Sequence, residues 1–251
     1  MATNKQIRAQ QKRRYEQFQA KIAAREARRR RRNRVIAIVA VALILAGAGA
    51  LGISALNGSS TPTATMAPSP TPSNNSALAP PPSASENRTW NATIDTSAGT
   101  ITATLDGAAA PQAVASFVTL AKDGFFNGTE CHRLVNQGIY ILQCGSPDGT
   151  PNGGPGYTFG PIENAPSDDT YPAGTIAMAR VGGDAYSMGS QFFLVYQDSM
   201  IPSDAAGGYT VFGTITDGLA ILEGIGAGGT SDGSSDGTPA DPVIINEVSV
   251  E

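Results

Sequence analysis

Apolar and polar positions along this chain change pattern twice. Residues 35–56 form an uninterrupted run of 22 residues without a charge. At 1.5 Å per residue that run matches the roughly 30 Å hydrocarbon core of a bilayer, so one transmembrane helix is expected there. Residues 57–87 have no apolar period and are mostly Pro, Ser, Thr, Ala and Asn, with Pro80-Pro81-Pro82 near the end. Such a segment reads as a semi-extended spacer. From Arg88 the texture becomes that of a folded domain, 88–251. Trp90, Ala92 and Ile94 alternate with polar residues, Ser97-Ala98-Gly99 turns, and Ile101, Ala103 and Leu105 alternate again. That is the signature of a hairpin with one buried face.

Helical spacing follows. Pro111 opens a segment in which Val114, Phe117, Val118 and Ala121 share one face, and Gly124 ends it. Short strands are expected at 131–135, 139–144, 175–180, 191–196, 209–215 and 242–250, with a second short helix at 218–225. Many short strands with two helices predict a mainly β domain: a closed eight-stranded antiparallel barrel capped by two helices.

Charge separates the two ends. Residues 1–34 hold 13 of the 17 Lys+Arg and two acids, Glu16 and Glu26. The chain beyond residue 56 has four bases (Arg88, Lys122, Arg133 and Arg180) against 19 of the 21 acids. The arginines at 28–32 and Arg34 abut the apolar run, which by the positive-inside rule places 1–34 in the cytoplasm and the domain outside. A secretory leader usually has a shorter apolar core and a shorter basic region, so an uncleaved anchor is expected. The arginine tract is read as resting on anionic lipid rather than on nucleic acid.

Several chemistries are disfavoured. His132 is the single histidine, which excludes His-rich metal clusters and disfavours a Ser-His-Asp triad. Residues 144–160 carry six glycines, yet no Gly-Lys-Ser/Thr follows to make a phosphate cradle. Cys131 and Cys144 are the only cysteines. An even count outside the cytoplasm favours a disulfide between neighbouring strands, while side-chain alternation argues for opposite faces, and both readings stay open.

The ordered motifs carry the strongest signal. Gly124-Phe125-Phe126-Asn127-Gly128-Thr129 leads into Cys131-His132-Arg133, followed by Gln143 and Gly145, then Gly153-Gly154-Pro155-Gly156 and Tyr157-Thr158-Phe159. Met178-Ala179-Arg180, Gly189-Ser190-Gln191-Phe192-Phe193 and Val211-Phe212-Gly213 come after. In this order the set resembles the cyclophilin family of peptidyl-prolyl isomerases over almost all of 90–250. The order of anchor, Pro-rich spacer and domain is similar to a membrane-anchored bacterial, actinobacterial-like form.

The resemblance implies a cofactor-free enzyme acting on X-Pro bonds of secreted or cell-envelope polypeptides, as a monomer. A tethered chaperone that docks Pro-containing segments with little turnover is the alternative. By the same resemblance Arg133 is the catalytic residue. Substrate contacts fall on His132, Tyr140, Ile141, Gln143, Ala179, Arg180, Gln191, Phe193, Ile201 and Tyr209. Arg180 stands where the family usually has Asn, and a preference for acidic neighbours of the substrate proline is expected from its charge. A rim tryptophan of many members falls near Ile201, and a pocket histidine is replaced by Tyr209. Weak cyclosporin binding is expected from those two changes.

Overall fold

The computed structural model describes residues 75–251. The expected cytoplasmic segment 1–34, the transmembrane helix 35–56 and residues 57–74 lie outside them. No helix among the described residues is long and apolar enough to cross a membrane.

The expected hairpin is β1 (Thr89–Thr96) and β2 (Gly99–Asp106), with Trp90 opposite Leu105, Ala92 opposite Ala103 and Ile94 opposite Ile101. All six are buried, because residues facing one another across a ladder share one side of the sheet. Helix α1 (Pro111–Lys122) follows. Its first turn has no side-chain cap of its own. The Glu163 carboxylate supplies one from elsewhere, accepting the Gln112 N–H at 3.0 and 3.1 Å and the Ala113 N–H at 3.0 Å. Orphan N–H groups at a helix start are thereby satisfied. Phe117 of α1 packs against Phe126, Phe192 and Phe212 with ring centres 5.0, 5.3 and 5.4 Å apart.

The remaining elements are β3 (Thr129–Glu130), β4 (Arg133–Gln137), β5 (Ile139–Cys144), β6 (Thr170–Tyr171), β7 (Thr175–Met178), β8 (Phe192–Val195), β9 (Ser199–Met200), β10 (Val211–Asp217), α2 (Leu219–Gly228), β11 (Asp236–Gly237) and β12 (Ile244–Val250). Ten strands form one curled antiparallel sheet in the order β11-β4-β5-β8-β7-β10-β2-β1-β12-β3, and β6 pairs with β9 separately. The expectation was a closed eight-stranded barrel; the sheet instead curls with two unjoined ends, β11 and β3. The count differs because one strand is broken at Cys131-His132: its first part, β3, pairs with β12 and its second, β4, with β5. The two-residue β11 adds another. One continuous stretch of chain, 129–137, therefore supplies the strand at one end of the ladder, β3, and the strand next to the other end, β4.

The folded part also begins earlier than Arg88. Residues 75–87, expected as spacer, pack against α1 and the first strand. Asn75 accepts the Gly160 N–H at 2.8 Å and donates to Gln112 at 3.0 Å. The Gln112 side chain donates to the Pro80 carbonyl at 2.8 Å, and the Trp90 indole donates to the Ser85 carbonyl at 2.7 Å. A segment too polar to build a core of its own is held by hydrogen bonds to one already built.

Candidate functional site

Strand pairing decides which side chains meet. Arg133 of β4 lies opposite Gln143 of β5, Gln143 opposite Phe193 of β8, Phe193 opposite Ala177 of β7, and Ala177 opposite Val211 of β10. One row of side chains thus crosses five strands on one face. The next row is Val135, Ile141 and Val195. Ile141, Phe193, Ala177, Val135, Val195, Tyr171 and Ile201 form an apolar cluster of their own, with Ala179, Tyr209 and Val211 packed against it. Alternate residues of the same strands (Leu134, Leu142, Leu194 and Ile176) face the main core instead. The site is the outer face of a sheet whose inner face is the core.

Along the polar margin of this floor runs a chain of hydrogen bonds. The Arg133 guanidinium donates through Nε and Nη2 to the two oxygens of Asp236, each at 2.7 Å, and through Nη1 to Gln143 Oε1 at 3.2 Å. Gln143 donates to Gln191 Oε1 at 2.8 Å, and Gln191 donates to the Pro151 and Gly153 carbonyls at 2.9 and 2.7 Å. Three of the five guanidinium N–H groups are engaged among the described residues, which leaves one on each terminal nitrogen. The hydrogen bond to Asp236 holds the guanidinium still more firmly protonated, and Arg133 in turn holds the Asp236 carboxyl below its ordinary value. Gly145 closes β5: a Cβ there would collide with the Ser190 carbonyl oxygen, and its φ of +87° suits glycine.

The structure therefore brings together Arg133, Ile141, Gln143, Ala179, Gln191, Phe193, Ile201 and Tyr209. Two expected residues, Tyr140 and His132, fall elsewhere, and a third, Arg180, lines one cavity with Gln143, Ala179 and Gln191 but has its donors already engaged. Tyr140 precedes Ile141 on β5 and so projects from the opposite face. It packs edge-on against Tyr196, ring centres 5.9 Å apart, and lines a separate cavity with Asn136 and Glu223. His132 is buried at the strand break, and neither ring nitrogen has a hydrogen-bond partner among the described residues. Burial first, then the neighbouring Arg133, lower its pKa against the opposing pull of Asp148, so it is neutral at physiological pH. Arg180 reaches the rim, but its side chain is consumed. Nε donates to the Gly208 carbonyl, Nη1 to Val181 and Asp204, and Nη2 to Asp204 and Gly207. All five donors are used, and its plane stacks 4.7 Å from the Tyr209 ring.

Cys131 and Cys144 are disulfide-bonded. The objection from alternation does not apply, because the chain leaves the ladder at Cys131-His132. Two residues of the site had no signal in the sequence. Tyr171 arrives from β6, fully buried, its hydroxyl accepting the Tyr209 N–H at 2.7 Å. Asp236 is one acid among many, in a Gly/Ser-rich stretch. No group of three or more His, Cys, Asp or Glu side chains among the described residues is placed to hold a metal ion.

Comparison with known proteins agrees with this geometry. The family model described as cyclophilin type peptidyl-prolyl cis-trans isomerase/CLD matches residues 91–250. A probable peptidyl-prolyl cis-trans isomerase B of Mycobacterium leprae is 43% identical over 175 residues, covering 65% of this chain and 57% of that protein. The chain thus spans little more than half the length of its mycobacterial relatives. A peptidyl-prolyl cis-trans isomerase of Helicobacter pylori is 43% identical over 143 residues, 56% of this chain and 83% of that one. Among solved structures, a Cryptosporidium parvum cyclophilin-type isomerase superposes with a TM-score of 0.51 at 25% identity, covering 65% of this chain and 98% of that one. The same protein has been crystallised in the presence of the dipeptide Ala-Pro.

Proposed function

This chain belongs to the cyclophilin-type peptidyl-prolyl cis-trans isomerase family, and on that premise we propose that it catalyses cis/trans isomerisation of X-Pro bonds in polypeptides outside the cytoplasm. The observation that carries the reading is the fixed Arg133 guanidinium, with two N–H groups still available, at the edge of the Ile141–Phe193 floor.

An amide rotates over a barrier of about 18–20 kcal/mol because resonance keeps it planar. In the twisted state the imide nitrogen regains a lone pair. A guanidinium N–H held beside that nitrogen gains an acceptor only there, so it stabilises the transition state more than either planar ground state. The apolar floor receives the pyrrolidine ring, and the Gln143–Gln191 chain holds the guanidinium from the substrate side. No proton needs to move, and the buried, neutral His132 takes no part.

The anchor belongs to the same proposal. The 22 uncharged residues at 35–56 and the arginines before them support a single-pass membrane protein, N-terminus inside, with the domain acting on secreted or envelope chains as they emerge. The test is prolyl isomerisation of a Pro-containing peptide by the full chain in detergent, alongside Arg133→Ala. Acceleration that falls about 100-fold in the variant, roughly 3 kcal/mol of transition-state stabilisation, supports the enzyme. Peptide binding without acceleration replaces it with a tethered chaperone.

A further inference from the structure

We propose that Asp236 is a positioning residue for the isomerisation, acting through Arg133; the inference rests on the catalytic reading of that arginine. An unrestrained arginine side chain samples many rotamers, whereas a stabilising donor must already stand where the lone pair develops. Asp236 binds the fork at Nε and Nη2 together. Two parallel bonds fix the guanidinium plane as one contact does not. Gln143 on Nη1 then fixes the third corner. The two N–H groups left over are thereby aimed, one on each terminal nitrogen.

Asp236 is itself placed by a loop built for stiffness. Asp232 Oδ1 accepts the Thr230 hydroxyl at 3.1 Å, the Ser234 N–H at 3.0 Å and the Ser234 hydroxyl at 2.7 Å. The Ser234 hydroxyl also lies 2.9 Å from the Asp236 carbonyl oxygen. The Asn136 N–H donates to the Ser235 carbonyl at 3.0 Å, and β11 pairs Asp236 with Val135 and Gly237 with Leu134. The carboxylate therefore stands at a fixed station beside β4.

Stability does not explain the arrangement. The Arg133 and Asp236 side chains are 38% and 50% exposed, and ion pairs that accessible contribute little to folding. The effect falls instead on where the guanidinium points.

The experiment measures kcat and peptide affinity separately for the full chain in detergent, with Asp236→Ala, Asp236→Asn, Arg133→Ala and the Asp236→Ala/Arg133→Ala double variant. Asp236→Ala is expected to lower kcat about 10- to 100-fold, as expected when a catalytic group is displaced by about an ångström. Affinity should change less than about threefold, and Tm should move by no more than about 3 °C. Asp236→Asn, which keeps one acceptor, should recover part of the loss. On the Arg133→Ala background Asp236→Ala should have no further effect, since it acts through the missing group. A kcat within about twofold of wild type for Asp236→Ala, with Arg133→Ala still impaired, overturns this inference and leaves the proposed function standing. An unimpaired Arg133→Ala overturns the catalytic reading of Arg133 and this inference with it. Additive losses in the double variant also overturn it.

Discussion

Cys131 and Cys144 are joined so that the residue before His132-Arg133 is tied to the residue after Gln143. The bond spans 13 positions of sequence and brackets the pair at the centre of the polar chain. It ties the break between β3 and β4 to the last residue of β5. Replacing both cysteines by serine should destabilise the domain by about 2–3 kcal/mol, the magnitude expected for closing a loop of this size. Denaturant titration measures it. Activity well below the transition midpoint should persist, because Arg133 and Gln143 remain opposite one another in the β4–β5 ladder.

Arg180 gives a different kind of prediction. Its charge meets Asp204, whose carboxyl is held far below the usual range, chiefly by that hydrogen bond and then by the Gly183 and Ala206 N–H groups. With no donor left over, the preference for acidic neighbours expected from its charge loses its basis. Peptides with Glu or Lys beside the proline should show no advantage for Glu. Arg180→Ala should loosen residues 204–208, seen as faster amide exchange there, without changing the charge preference. A strong Glu preference that vanishes in the variant would refute this account.

Tyr157 makes the domain sensitive to alkali. Burial pushes its phenol from 10.0 up to about 12, although the hydrogen bond with Ser116 pulls the other way. A group whose folded value is raised contributes stability that is fully present below the unfolded value. That stability is lost as pH rises through the folded one, so the window here runs from about 10 to about 12. Denaturant midpoints should fall across it, and Tyr157→Phe should lessen the fall without abolishing it, because burial also raises the Tyr196 phenol to about 12.

Phe193 should show how far the site and the stability of the domain are linked. It is buried, and its ring meets Tyr209 edge-on with centres 5.5 Å apart. Phe193→Ala should cost about 3–5 kcal/mol, as truncations of buried aromatics do. Phe193→Leu keeps much of the volume and should cost under about 2 kcal/mol, while peptide affinity drops because the flat floor is lost. Unchanged affinity in the leucine variant would remove Phe193 from the binding surface.

Much of this was legible in the sequence. The β1–β2 hairpin, α1 and the short strands announced themselves through periods of two and 3.6, and the ordered motifs pointed to Arg133, Gln143, Gln191 and Phe193, which the structure sets side by side. Failures came where the deciding physics is not local. Tyr140 and Ile141 are adjacent and both apolar, so only the register of β5 shows which faces the site. Residues 75–87 look like spacer because their polar partners, Gln112 and Gly160, lie far along the chain. Arg180 looks available until the 204–208 loop folds over it. Asp236 is one carboxylate among 19 in its part of the chain, and its meaning depends on a two-residue strand with no pattern to read.

Strand β8 is a party wall. Phe192 and Leu194 belong to the main core and Phe193 and Val195 to the site floor, and all four are buried. With side chains packed on both faces, a change of volume in this strand is transmitted to both rooms. Drift in substrate preference therefore has little latitude on β8. It has more at Ile201 and Tyr209, which reach the floor from loops and can change without a neighbour across the wall.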